Sequence, residues 1–148
     1  MKIKGGYNKK ILNIDLSKKK VTVSKVNDSF ALKYIGGRGY GARIVWDGLG
    51  AKLLSPLEPR NVLVIAPGPL TGLYLPASCK TSFVSISPAT GIYGDSSMGG
   101  MFGTEVKQAG YDALVLRGSL KKLSYIWMDD DTVEIRDAKK YAGRGCTE

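Results

Sequence analysis

VSISPATGIYGDSSMGGMFGTEVKQAGYDALVLRG, residues 84–118, passes from strand to glycine-rich loop to helix to strand, and the rest of the chain arranges itself around that order. Its head belongs to a run from Thr81 to Ser87 that Pro88 closes, the pattern of a short strand. Its tail, Ala113 to Arg117, is a second apolar run of strand length. Between them Phe102, Val106 and Ala109 fall at helical spacing. The residues Gly94 to Gly103 (GDSSMGGMFG) lack either period and read as a glycine-rich loop leading into that helix. Backbone N–H groups ahead of a helix bind anions, and glycines let a flat ligand come close to the chain. A capped helix after a tight turn would use the same residues, so the pattern alone leaves both readings open.

Upstream, Leu12, Ile14 and Leu16 alternate with Asn13 and Asp15, and Val21 and Val23 alternate with Thr22 and Ser24. Around the polar turn Ser17–Lys20 this predicts an N-terminal β-hairpin. Asp28 or Ser29 is placed to cap a helix starting near Phe30. Gly36, Gly37, Arg38, Gly39, Tyr40 and Gly41 interrupt it, and Ala42, Val45, Trp46 and Leu49 resume one helical face. Val62 to Ala66 is an apolar strand ending at Pro67-Gly68-Pro69. Downstream, Tyr125 to Met128 and Thr132 to Arg136 flank the turn Asp129-Asp130-Asp131. The order predicts an α+β chain, a single domain over 1–148 with a weak internal duplication. Gly37-Arg38-Gly39-Tyr40-Gly41-Ala42 formally fits the dinucleotide pattern G-x-G-x-x-A. Helix rather than strand precedes it and no acidic residue follows at the required distance, so it reads as a chance match.

Composition narrows the chemistry. The 148 residues contain no histidine, which removes the commonest general base and metal-ligating nitrogen near neutral pH. Cys79 and Cys146 read as reduced thiols or one disulfide, and two thiolates cannot hold a 4Fe–4S cluster, which takes four. No apolar stretch approaches the ~20 residues of a membrane span, and MKIKGGYNKK has no apolar core of a signal peptide, so a cytoplasmic protein is expected. A single glutamine, Gln108, among many lysines hints at a heat-adapted source. Net charge is +9, and Lys2, Lys4, Lys9, Lys10, Lys18, Lys19, Lys20 and Lys25 crowd the first segment. Such a field is either a solvated face or an attraction for anionic cofactors, acidic proteins or nucleic acid.

IGGRGYGARIVWDGL, LVIAPGPLTG, the 84–118 stretch and MDDDTVEIRDA, in that order, resemble the N-terminal domain of the tungsten-containing aldehyde ferredoxin oxidoreductases. The resemblance runs from about Gly6 to the end of the chain. It implies two mostly antiparallel β-sheets with two helices, forming a saddle-like face beneath a tungsten or molybdenum bis-pyranopterin with its Mg2+. The family's pterin-contacting arginine after PLTG falls on Lys80, which keeps the charge and loses the bidentate fork. A loop asparagine and glycine of the family fall on Ser97 and Gly99. The asparagine's role as a main-chain carbonyl ligand to Mg2+ survives a side-chain change, so Ser97 inherits it. Arg38, Ser96 and Gly100 complete the expected cofactor-binding set, and no catalytic residue is assigned.

In such enzymes the cluster thiolates, a second set of pterin-binding segments and the acid–base residues come from later domains. Glu148 precedes all of them, so the chain reads as a fragment or as one subunit of a split enzyme. The implied function is cofactor binding within an enzyme that oxidises aldehydes to carboxylates and reduces ferredoxin, inactive alone. A cluster-binding C-terminal region or separate subunit would be its first partner. Two other readings stand beside it: a non-catalytic, self-associating descendant of the domain, and a basic nucleic-acid-binding protein. The second of these lacks a motif and has no aromatics among its N-terminal lysines.

Overall fold

The computed structural model describes residues 2–50 and 55–145. The N-terminal alternation folds into the hairpin that it predicts. β1 (Lys10–Asp15) and β2 (Lys20–Lys25) pair antiparallel, with Ile14 opposite Val21 and Asp15 opposite Lys20. α1 (Asp28–Tyr34) follows, and its cap is Asn27 rather than Asp28 or Ser29: the Asn27 side-chain oxygen accepts from the Phe30 N–H at 2.8 Å. Asp28 instead holds the N-terminal arm. Its carboxylate accepts from the Ile3 N–H at 3.1 Å and pairs with Lys9 at 2.6 Å.

The glycine run after α1 shortens the interruption that the pattern predicts and adds a helix. Ile35 and Gly37 adopt φ of 64° and 49°, the chain turns there, and α2 (Arg38–Leu49) begins inside the run. The helix tolerates Gly39 and Gly41 because both are points of close approach. A β-carbon on Gly41 would lie 2.4 Å from Cγ2 of Val84, and one on Gly39 would lie 2.0 Å from the Tyr34 carbonyl oxygen. The glycines seat the helix on its neighbours, which accounts for the G-x-G pattern without a nucleotide. With α3 (Phe102–Gln108) the described residues contain three α-helices, where the sequence pattern gives two.

The remaining strands are β3 (Val62–Pro67), β4 (Thr81–Ile86), β5 (Tyr93–Met98), β6 (Ala113–Arg117), β7 (Ser124–Asp129) and β8 (Thr132–Asp137). Six of the eight form one sheet in the order β2-β1-β6-β3-β4-β5, in which only β1 and β6 run parallel; β7 and β8 form a second, two-stranded sheet. The class is therefore α+β with two mostly antiparallel sheets, as expected. β3 and β6 read as unbroken apolar runs because both faces of the large sheet are covered. On one face α1 and α2 enclose Val64, Val84, Val115 and Tyr40. On the other, α3 and the small sheet cover Leu12, Ile14, Leu114 and Tyr111.

Buried Asp112, just ahead of β6, ties the start of the chain to this core. It accepts from the N–H groups of Asn8 and Lys9 at 3.0 and 2.6 Å and from Lys107 Nζ at 2.6 Å. The sheet's two edges differ. β2 carries Lys20 and Lys25, the kind of residue that blocks edge-to-edge pairing, whereas β5 carries no lysine or proline.

Candidate functional site

Strand direction brings most of the sequence-derived residues to one end of the large sheet. α2 starts there with Arg38, β3 ends there at Pro67, β4 starts there at Thr81, and β5 ends there at Met98. Lys80 immediately precedes Thr81, which pairs with Met98, and Gly99 immediately follows Met98, so both leave the ladder at the same end. The end of the sheet thus collects Arg38, Lys80, Ser97, Gly99 and Gly100, all exposed. Packing beneath them is tight. Gly103 is buried and has no room for a β-carbon, which would lie 2.1 Å from the buried, unpartnered Thr81 hydroxyl, so the first turn of α3 lies directly on β4.

Ser96 and Ser97 lie on a strand, not in the loop that the sequence pattern predicts. Gly-Asp-Ser-Ser has weak strand preference, but the hairpin from β4 offers a complete row of partners from Ile86–Tyr93 to Thr81–Met98, and pairing overrides propensity. Strand alternation then separates the two serines. Ser97 shares the α2 face with Asp95, while Ser96 shares the opposite face with Phe83. Ser96 is therefore not brought together with Arg38.

The ladder also fixes where the main chain of Ser97 points. Ser87 donates its N–H to the Ile92 carbonyl at 2.8 Å, which makes Ile86–Tyr93 a non-hydrogen-bonded pair. Alternation makes Ser82–Ser97 another, with the N–H and C=O of Ser97 directed away from β4. β5 is the edge strand, so both groups face the open side.

Charge at this end is net positive. Arg38 Nε lies 3.6 Å from Asp95, a loose pair with the arginine largely exposed. Lys80 has no carboxylate within ion-pair distance among the described residues. Burial pushes the Tyr93 phenol above its ordinary pKa, Asp95 pushes it further, and Arg38 opposes both.

Gly99 is informative because nothing among the described residues requires it. Its φ is not in the left-handed region, and among the described residues a β-carbon there would meet only Cys79 Sγ at 3.9 Å, an ordinary contact. Gly100 has φ of 90°, which restricts it to glycine, with open space around it. Exposed main chain, two cations and an outward carbonyl are the kind of donor set that a bulky anionic group carrying a hard cation would need.

Sequence reasoning missed the apolar part of the same end. Ile35, Leu70, Leu73, Tyr74, Leu75, Met101 and Phe102 are all exposed. The signal was legible in PGPLTGLYLPAS: apolar residues in a segment punctuated by Pro and Gly, with no period to bury them. Cys79 is a half-buried free thiol, and Cys146 lies outside the described residues. No helix among the described residues is long and apolar enough to cross a membrane.

Residues 11–148 match the family described as "Aldehyde ferredoxin oxidoreductase, N-terminal domain". The chain is 44% identical over 142 residues to the aliphatic sulfonate oxidoreductase, WOR-like subunit, of Pyrococcus furiosus, covering 94% of this chain and 22% of that protein. It is 38% identical to the tungsten-containing aldehyde ferredoxin oxidoreductase of Pyrococcus horikoshii, covering 94% and 23%. Among solved structures, the active site complex BamBC of benzoyl coenzyme A reductase with 1,5-dienoyl-CoA superposes with a TM-score of 0.88 at 33% identity, covering 93% of this chain and 21% of that one. The chain spans little more than a fifth of the length of these relatives.

Proposed function

Because the chain belongs to the aldehyde ferredoxin oxidoreductase family, whose N-terminal domain it matches, we propose that it forms one wall of a tungsten–pterin site in a larger oxidoreductase. The observation that carries this is Gly99, a glycine that neither backbone conformation nor internal packing requires, next to an outward-facing Ser97 carbonyl. In this reading Lys80 and Arg38 offset the cofactor's phosphate charge, and the Ser97 carbonyl oxygen ligates Mg2+. Gly99 and Gly100 admit the flat ring system. When bound, the group supplies two-electron redox chemistry at its metal. This chain's own residues bind and orient it and carry no proton-transfer role.

In the same reading the remaining parts come from outside residues 1–148: a 4Fe–4S cluster, further pterin contacts, and the groups that select a substrate. The family name points to aldehyde oxidation with ferredoxin as electron acceptor. Relatives named for a sulfonate and for benzoyl-CoA match nearly the whole of this chain, and one named for glyceraldehyde-3-phosphate matches 53% of it, which supports a substrate choice made outside this domain. The exposed apolar side chains from Ile35 to Phe102 suit a covering polypeptide, and a second copy of the chain is the competing occupant.

Co-production with a polypeptide carrying the remaining family domains, followed by metal analysis of the purified complex, tests the proposal. The expected result is one tungsten or molybdenum per complex. A stable complex that stays metal-free in tungstate- and molybdate-supplied cells overturns it.

A further inference from the structure

At the opposite end of the same strands, about 20 Å away for six-residue strands, lies a groove that the cofactor proposal does not use. It has two lobes. One, of about 640 Å³, lies between the β1–β2 turn, the segment after β6, and β8, and is lined by Lys19, Lys121, Lys122, Leu120 and Ile135. The other, of about 400 Å³, runs past Leu57, Leu63 and Leu116. Leu16 and Ser119 line both, so the two lobes adjoin along these residues. Ser119 is fixed by the Ser17 hydroxyl, which accepts its N–H at 3.1 Å, so the junction is built rather than loose.

The groove is aliphatic along its floor and cationic at one end. None of Lys18, Lys19, Lys20, Lys121 and Lys122 takes part in an ion pair among the described residues. Asp137 also lines the cationic lobe, and Glu58, in the other lobe, is already paired with Arg60. Three lysines against the single carboxylate of Asp137 leave the lobe net positive, and a partner bringing carboxylates offsets that charge.

We infer that this groove docks an extended acidic segment of a partner protein, with carboxylates against Lys19, Lys121 and Lys122 and aliphatic side chains over Leu16 and Leu120. The lining favours protein over nucleic acid. An aliphatic floor has no use for a phosphate backbone, and no aromatic ring lines either lobe to stack a base. The lysines are exposed, so docking is steered and salt-sensitive, as in a transient encounter. Because it lies away from Gly99, it leaves the cofactor end free.

Fluorescence anisotropy with the full chain and a labelled peptide of five glutamates and two leucines tests this, with a labelled duplex oligonucleotide as competitor. Binding should weaken steeply between 50 and 200 mM salt. It should fall at least tenfold in K121E/K122E and less than twofold in K2E/K4E, which makes the same charge change at the other end of the sheet. Equal losses in the two variants would show diffuse charge attraction and overturn the groove, as would absence of binding. Duplex binding tighter than peptide binding, with the same dependence on Lys121 and Lys122, would overturn the choice of a protein partner.

Discussion

Replacing Gly41 by alanine probes how α2 is held on the sheet, and with it the position of Arg38. The new β-carbon would stand 2.4, 2.6 and 3.0 Å from Cγ2, Cβ and Cγ1 of Val84, where carbon atoms rest at ~3.5–4.0 Å. Val84 is fully buried and β-branched, so it has no free rotamer to retreat into. The helix must therefore lift by about 1 Å, and overpacking of this kind costs about 1–3 kcal/mol. Against that, alanine in a helix gains about 1 kcal/mol over glycine. With a fully buried neighbour the cost belongs at the upper end, leaving a net loss of about 2 kcal/mol. Gly48, on the same helix, is the control: its nearest contact would be the Arg60 carbonyl at 4.0 Å, so Gly48→Ala keeps only the helical gain. Urea denaturation of the two variants and of the double variant Gly41→Ala/Val84→Ala measures the difference. The double variant should recover part of the loss, because the smaller neighbour makes room for the new methyl group. If Gly41→Ala is as stable as the parent chain, the close approach that defines this fold is wrong.

Four further outcomes follow from the same geometry. Gly99→Leu should leave the urea midpoint of the isolated chain unchanged and remove metal from the assembled complex, as metal analysis would read. Lys80→Arg should retain at least parental metal content by restoring a bidentate fork, whereas Lys80→Ala should lower it, with metal per complex as the measure. Asp112→Ala strands Lys107 in the interior and leaves two backbone N–H groups unpaired, so urea denaturation should show a loss of about 3 kcal/mol or more. The Asp28 carboxyl, hydrogen-bonded by Lys9 and the Ile3 N–H, should titrate below the ordinary carboxylate range when followed by NMR. A depressed folded-state pKa means that its stabilisation is present above about pH 4 and is lost as pH falls through the folded value.

The strands that alternate or run apolar were legible because each has its own periodic reason to exist. β1 and β2 announce themselves by period two, and β3 and β6 by burial on both sides. β5 was not legible. Tyr93 to Met98 has no alternation and poor propensity, and is a strand only because β4 lies beside it. The glycines in α2 misled for a related reason, since their purpose lies at Tyr34 and Val84 rather than in their own segment. Local pattern and resemblance point to six candidate residues, and topology alone carries all six toward one end of the sheet. Ser96 departs because strand alternation, invisible while the segment reads as a loop, turns it to the other face. The clasp from Asp112 to Asn8 spans 104 positions, and no local pattern could announce it.

The unequal flanks of the large sheet bear on how a cell must handle this polypeptide. One border repels intruders by charge. The other leaves hydrogen-bonding groups bare beside a cluster of greasy side chains, an invitation to any passing strand. A sheet with such an open border is a target for chaperones and proteases for as long as nothing shields it.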